Sequence, residues 1–435
     1  MATREWMREY LAVVSDQIRW KLARPVVLRE LEDHLEDQCD AYLEEGLPQY
    51  EARKEALRQM GDPVCVGKEL DAVHRPKNSW QILGVILALL AVNLILWQTA
   101  FNDGDTVHWL WIPLACMAAG LAALAVCYHL PWNRLVKHVG KLGVAGWNVL
   151  FVLQEMFFPN GRSNGRDYMI LILPLVYGAV LYSLRNLGFR GLLLSCLLMA
   201  AMLWFCTAYW MSFLGMSILV LTGLTMTLLA IGQNVYGGRK AVKASVVVGG
   251  YLLMIVLFFQ KFENIWSVDR WVVGDYYGSL FAEIRAHSRM FGPGEAFSVM
   301  VGEVEFALAP GKSMERLISE CDYYLTSLMY KIGWLPAAAL VVAVGALLVW
   351  CLRNGLKQPT LWGKFLTCAI VIPMLLQLVV HVVNNTVVFI ASAQLPLLSY
   401  GNTYRILDLA LLGVVLSVFR SQTILRDAPM KRKLA

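Results

Sequence analysis

The chain has 435 residues, 58% of them hydrophobic and only 16% charged, and carries a formal net charge of +6 at pH 7. A soluble domain of this length needs far more polar surface, so soluble enzymes are disfavoured, and no P-loop, dinucleotide fingerprint or HExxH motif is present. Repeated apolar runs of about 20 residues have the length that a helix needs to cross a bilayer. The expected class is therefore an all-α polytopic membrane protein. The modest positive charge suits cytoplasmic loop bias better than a nucleic-acid surface. The nine cysteines stand singly, with Cys116, Cys127, Cys196, Cys206, Cys351 and Cys368 inside apolar runs. They show neither CxxC pairs nor metal spacing, and are expected to be small core residues.

Residues 1–78 hold 16 of the 32 acids and are expected to form a small cytoplasmic helical domain, not a signal peptide. A first helix is expected over Arg4–Leu22. Pro25 opens a second, Val26–Glu45, which Gly46 ends. A third runs from Pro48 to Gly61, and Asp62-Pro63 begins a fourth. In the second, Leu28, Leu31, Leu35, Cys39, Tyr42 and Leu43 make an apolar face. Glu32, Asp33, Glu36, Asp37, Asp40, Glu44 and Glu45 make an acidic outer one, either simply solvated or a docking surface for a basic partner. His34 and Cys39 have no further ligands spaced to join them. The stretches Leu28–Gln38 and Ala56–Pro63 resemble the permease-prefix domain fused to many Firmicute membrane proteins, which implies a regulatory module without chemistry of its own.

From residue 79 the apolar runs are 79–101, 108–130, 142–158, 168–184, 191–210, 214–234, 243–262, 322–351, 364–390 and 403–420, ten in all. Asn148, Gln154 and Glu155 dilute the third. Arg134, Lys137 and Lys141, then Arg185 and Arg190, then Arg239, Lys240 and Lys243, then Arg353 and Lys357 fall in alternate loops. With the basic tail at 426–435, they lie on one side if ten spans leave both ends cytoplasmic. Arg162 and Arg166 are exceptions. The membrane domain is thus expected over 79–425, with one large outer loop at about 263–321, too long to be a mere connector.

That loop carries Gly274–Ser279, Met290–Gly294 and several cations: Arg270, Arg285, Arg289, Lys312 and Arg316. Asp322 stands where the eighth span starts. An acid there is favoured by the helix dipole alone, and is also where a general base would face the outer leaflet. Arg405 and Asp408 lie three apart on the last span, so they share a face and are expected to form an intramembrane ion pair. His381 and Asn384-Asn385, near the outer end of the ninth span, either line a cavity or bond neighbouring helices.

Leu395-Pro396-Leu397-Leu398-Ser399-Tyr400-Gly401, just before the last span, resembles a signature of the SEDS family, the FtsW, RodA and SpoVE group. Its usual form is Leu-Pro-Leu/Phe-Ile-Ser-Tyr-Gly-Gly-Ser-Ser. That family polymerises lipid-linked cell-wall precursors during growth, division and sporulation. Gly274–Ser279 and Met290–Gly294 match its outer-loop motifs loosely and in order. Glu320–Tyr324 and Lys331–Leu335 match His-Thr-Asp-Phe-Ile-Phe and Glu-Glu-Leu-Gly in spacing. The resemblance implies ten spans with the large loop between the seventh and eighth, in a bacterial plasma membrane. It puts Asp322 on the catalytic aspartate and makes Arg270, Lys312, Arg316, His381, Ser399, Tyr400 and Gly401 candidates for binding substrate. It implies lipid II as substrate and a class B penicillin-binding protein as partner, requires no cofactor, and admits a divalent cation.

The sequence also departs from the family. Asn164–Asp167 replaces Gly-Ala-Arg-Arg-Trp, and the Gln-Pro-Ser-Glu that follows it is absent. Ser212–Met216 replaces Pro-Asp-Leu-Gly-Thr, Tyr330-Lys331 replaces Glu-Glu, and Asn402–Tyr404 replaces Gly-Ser-Ser. Two alternatives stand beside the polymerase: a non-catalytic scaffold or regulator of envelope synthesis, and a lipid-precursor flippase, although no inverted repeat is visible.

Overall fold

The computed structural model describes residues 6–77, 79–100, 107–130, 165–208, 213–262, 280–301, 304–308, 323–387, 393–398 and 402–423. The chain divides into two compact units, one holding the residues up to Asn78 with the segment from Val418, the other Ser79–Ser417.

The N-terminal region has four helices: α1 (Arg8–Gln17), α2 (Arg24–Glu44), α3 (Gln49–Met60) and α4 (Pro63–Val73). Pro25 and Pro63 sit in the first turns of α2 and α4, where a missing amide costs nothing. The core gathers Leu11 and Val14 of α1, Val27, Leu31, Leu35 and Cys39 of α2, and Ala52 and Ala56 of α3. Leu43, expected on the same face, is 37% exposed, and Val27 is buried instead. Each four-residue step turns a helix by about 40° past a full circle, so a stripe begun at Val27 has rotated outward by Leu43.

The first helix is also shorter than expected. It stops at Gln17 because the Arg19 amide donates to the Asp71 carboxylate of α4 at 2.9 Å, and Arg24 Nε donates to the Ile18 carbonyl at 2.8 Å. A tertiary partner has taken the amide that would have continued the helix. Asp62 caps α4 by accepting from the Cys65 amide at 3.0 Å. Hydrogen bonds from Cys65 hold the Asp62 carboxyl below its ordinary value. A lowered folded-state value means that the cap stabilises at neutral pH and is lost on acidification through that value.

The second unit is a multi-pass α-helical membrane domain. Its helices are α5 (Trp80–Ala100), α6 (Val107–His129), α7 (Gly165–Ser183), α8 (Gly188–Ala208), α9 (Phe213–Gly232), α10 (Lys240–Phe262), α11 (Tyr324–Ile332), α12 (Trp334–Leu356), α13 (Leu361–Thr386) and α14 (Asn402–Arg420). Among the described residues, Arg185–Trp204, Gly215–Gly232, Lys240–Leu257, Trp334–Leu356 and Leu361–Thr386 are long and apolar enough to cross a membrane. Trp80–Leu96, Pro113–His129 and Leu171–Ser183 are shorter apolar helices. The expected third span, 142–158, lies outside the described residues.

Helix α13 is the inner member, packed on α7, α9 and α12. Helix α10 leaves Val242, Val246, Leu252, Leu253, Val256 and Leu257 exposed, as lipid-facing residues are. Helix α14 meets α6 at Gly413, where a Cβ would stand 2.4 Å from the Leu124 carbonyl oxygen, so only glycine permits the crossing. Inside the bundle, Tyr177 of α7 bonds Thr227 of α9 at 2.6 Å and approaches the Tyr251 hydroxyl of α10 at 3.4 Å. The loop between α10 and α11, expected on the outer side, holds a short helix at 280–286. It also holds an antiparallel hairpin, β1 (Phe297–Val301) and β2 (Val304–Leu308), with Phe297 opposite Leu308.

Asp71→Ala removes the acceptor for the Arg19 amide while losing only solvent-screened contacts to Arg19 and Arg75, both mostly exposed. It should lower the unfolding free energy of the N-terminal unit by about 1–3 kcal/mol, read from urea denaturation.

Candidate functional site

The expected eighth span, 322–351, is not one helix. It breaks at Gly333, whose φ of 95° lies in the left-handed region. The apolar run continues across the break, so hydropathy alone misses it. The break exposes the last carbonyls of α11 and the first amides of α12, and the outer loop satisfies both. Gly294 and Gly292 donate to the Tyr330 and Ile332 carbonyls at 2.7 and 3.0 Å. Trp334 and Leu335 donate to the Arg289 and Met290 carbonyls at 3.0 and 3.2 Å. The loop lies so close that a Cβ on Gly333 would be 2.6 Å from the Met290 carbonyl oxygen. Thus Met290–Gly294 and Lys331–Leu335, two motifs far apart in sequence, form one backbone-bonded joint. Tyr330 reinforces it by donating to the Glu295 carbonyl at 2.8 Å.

Every residue from Tyr324 to Tyr330 is buried. Polar side chains from neighbouring helices fix the segment. The Tyr324 hydroxyl donates to Asn93 Oδ1 of α5 at 2.7 Å. Asn385 of α13 accepts from the Thr326 amide at 3.0 Å and from its hydroxyl at 2.8 Å, and donates to the His381 carbonyl at 2.8 Å. Its own carbonyl accepts from Arg285 of the outer helix at 3.1 Å. Asn385 therefore joins three segments, and its role is helix packing.

The residues before α14 make a tight turn. Leu397 has φ 67°, and its amide donates to Asp408 Oδ2 at 2.9 Å. His381 Nδ1 lies 2.8 Å from the Ala393 carbonyl oxygen, which requires that nitrogen to carry the proton. His381, Arg405 and Asp408 are all buried. Spacing alone suggests Arg405 as the partner of Asp408. The structure adds a task that spacing cannot reveal, because Leu397 reaches Asp408 from 11 residues away.

No family model and no curated relative matches the chain. Solved structures do. A peptidoglycan synthase complex, described for its coordination of polymerisation and crosslinking, aligns with a TM-score of 0.57 at 17% identity, covering 79% of this chain and 98% of that one. The rod shape determining protein RodA of Thermus thermophilus aligns with a TM-score of 0.52 at 16% identity, over 79% of this chain and 97% of its own. An aspartate-to-alanine mutant of it aligns at 0.51 and 16%, over 79% and 98%. The chain has the RodA fold.

Within this RodA-like bundle the candidate residues fall into two groups. His381, Arg405 and Asp408 are all buried, and His381 and Asp408 bond the 393–398 turn. Asp322, Arg270, Lys312, Arg316, Ser399, Tyr400 and Gly401 lie outside the described residues. Two of these adjoin described elements in sequence: Asp322 precedes Tyr324 by two residues, and Ser399 follows Leu398. Among the described residues no group of three His, Cys, Asp or Glu could hold a metal ion.

Asn385→Ala strips the Thr326 amide of its acceptor and removes two further bonds. Single interhelical hydrogen bonds in membranes contribute about 0.6–2 kcal/mol. The variant should lose more than one such bond's worth of thermal stability in detergent, whereas Thr326→Val, which keeps the amide bond, should lose less.

Proposed function

We propose that this chain is a divergent SEDS-type glycosyltransferase that polymerises lipid II at the outer face of a bacterial plasma membrane, with both termini cytoplasmic. One observation carries the reading. In a RodA-like bundle, α11, which begins two residues after Asp322, is buried and pinned by Asn93 and Asn385. The solved neighbours are a rod shape determining protein and a complex that polymerises and crosslinks peptidoglycan.

Glycan polymerisation requires a sugar hydroxyl to attack an anomeric carbon as a lipid pyrophosphate departs. Asp322 takes the hydroxyl proton as general base. The departing pyrophosphate needs positive charge, which Arg270, Lys312 and Arg316 of the outer loop supply. His381 and the Ser399-Tyr400-Gly401 segment complete the substrate site. The partner is a class B penicillin-binding protein, and the setting is division, cell shape or sporulation.

A second reading keeps the frame without the chemistry: a scaffold of envelope synthesis. One observation favours it. Tyr330, where the family pattern has Glu, is buried and occupied in holding Glu295.

The test is glycan-strand formation from labelled lipid II by purified protein, with and without candidate penicillin-binding partners. Asp322→Ala should reduce product at least about a hundredfold, the usual scale for losing a general base, with membrane insertion intact. No product from the wild type under any pairing would select the scaffold.

A further inference from the structure

We infer that Asp408 is a positioning residue: its carboxylate holds the Leu395–Leu398 turn, which directly precedes Ser399-Tyr400-Gly401 in sequence, in a left-handed bend. The consequence for catalysis rests on the polymerase reading above. The clamp itself is a property of the turn.

Leu397 is the unusual residue. Its φ of 67° lies where a leucine is rarely found, because its Cβ crowds the backbone. Glycine or asparagine is the ordinary choice. Such a conformation persists only where the surroundings over-determine it. Here Leu395, Leu397 and Leu398 are all buried, and Pro396 fixes the preceding φ. The Leu397 amide, with no water to meet, donates to Asp408 Oδ2 at 2.9 Å. At the other end, His381 holds the Ala393 carbonyl at 2.8 Å. The segment 393–398 is thus gripped by one side chain from α13 and one from α14.

Asp408 uses one oxygen for this, and Oδ1 has no hydrogen-bond partner. A single acceptor is what the bend needs, and a carboxamide oxygen provides it as well as a carboxylate. That separates the clamp from any role that requires negative charge.

Three variants test it: Asp408→Ala, Asp408→Asn, and Asp408→Ala combined with Leu397→Gly. Two readouts are taken on the full chain in detergent: hydrogen–deuterium exchange of the 393–401 peptide, and lipid II polymerisation. Asp408→Ala should speed exchange in that peptide while the peptides of α12 and α13 keep wild-type exchange. Polymerisation should fall on the order of tenfold or more, as expected of a displaced binding segment. Asp408→Asn should keep both readouts near wild type. Adding Leu397→Gly to Asp408→Ala should recover activity, because glycine adopts positive φ without a clamp. The clamp is overturned if Asp408→Ala leaves exchange of the peptide unchanged. It is equally overturned if Asp408→Asn is as damaging as Asp408→Ala, which would assign the residue's role to its charge. If the wild type makes no polymer, the polymerase reading fails, and the exchange readout alone still decides the clamp.

Discussion

Hydrocarbon offers no hydrogen bonds, so every backbone amide and carbonyl within a membrane bundle must find its partner in the protein. A broken helix is therefore expensive unless another segment supplies what the break exposes. In this chain that segment is the outer loop at 289–294. It gives two amides to the end of α11 and two carbonyls to the start of α12. Helix α11, at nine residues, is too short to be stable by itself. It exists because the joint at Gly333 closes its end and because Asn93 and Asn385 hold its side. The loop is consequently part of the bundle's wiring rather than a lid added to it.

This arrangement concentrates polarity. Helix α10 presents an apolar surface, and most of the buried hydrogen-bonding side chains of α13 gather toward its C-terminal half: Gln377, His381, Asn384 and Asn385. Two of them reach the places where the chain departs from regular helix, Asn385 at α11 and His381 at the 393–398 turn. Irregular backbone in a membrane protein needs such groups close by. The two irregular elements are linked through a single stretch of α13, since Asn385 bonds Thr326 and His381 approaches Ala393. His381 and Asn385 stand four residues apart, about one helical turn.

Much of the frame was legible in the sequence. Apolar runs placed the described spans, and prolines and glycines placed the starts of α2, α3 and α4 and the ends of α2 and α3, because these signals are local. What escaped was non-local. Asp71 ends α1 from α4, Gly333 breaks an apolar run with no change in hydropathy, and Leu397 finds its acceptor 11 residues on. The drift of the α2 stripe past Leu43 was readable in principle from the mismatch between a four-residue step and a 3.6-residue turn. The candidate site was only partly legible. Burial of His381, Arg405 and Asp408 followed from charge and polarity within apolar runs, whereas the role given to Asp322 came from resemblance.

The charges on α14 show why function and frame should be weighed separately in such a bundle. An aspartate in a membrane span needs a reason to be there, since its desolvation is costly. Spacing offers Arg405 as that reason, but a pair of opposite charges costs more than the apolar residues that could replace it. The backbone offers a stronger one. The Leu397 amide is buried, its φ is strained, and no carbonyl ladder runs past it to accept its proton. A side chain one helical face away must do so, and Asp408 does. In that order of causes the acid serves the turn.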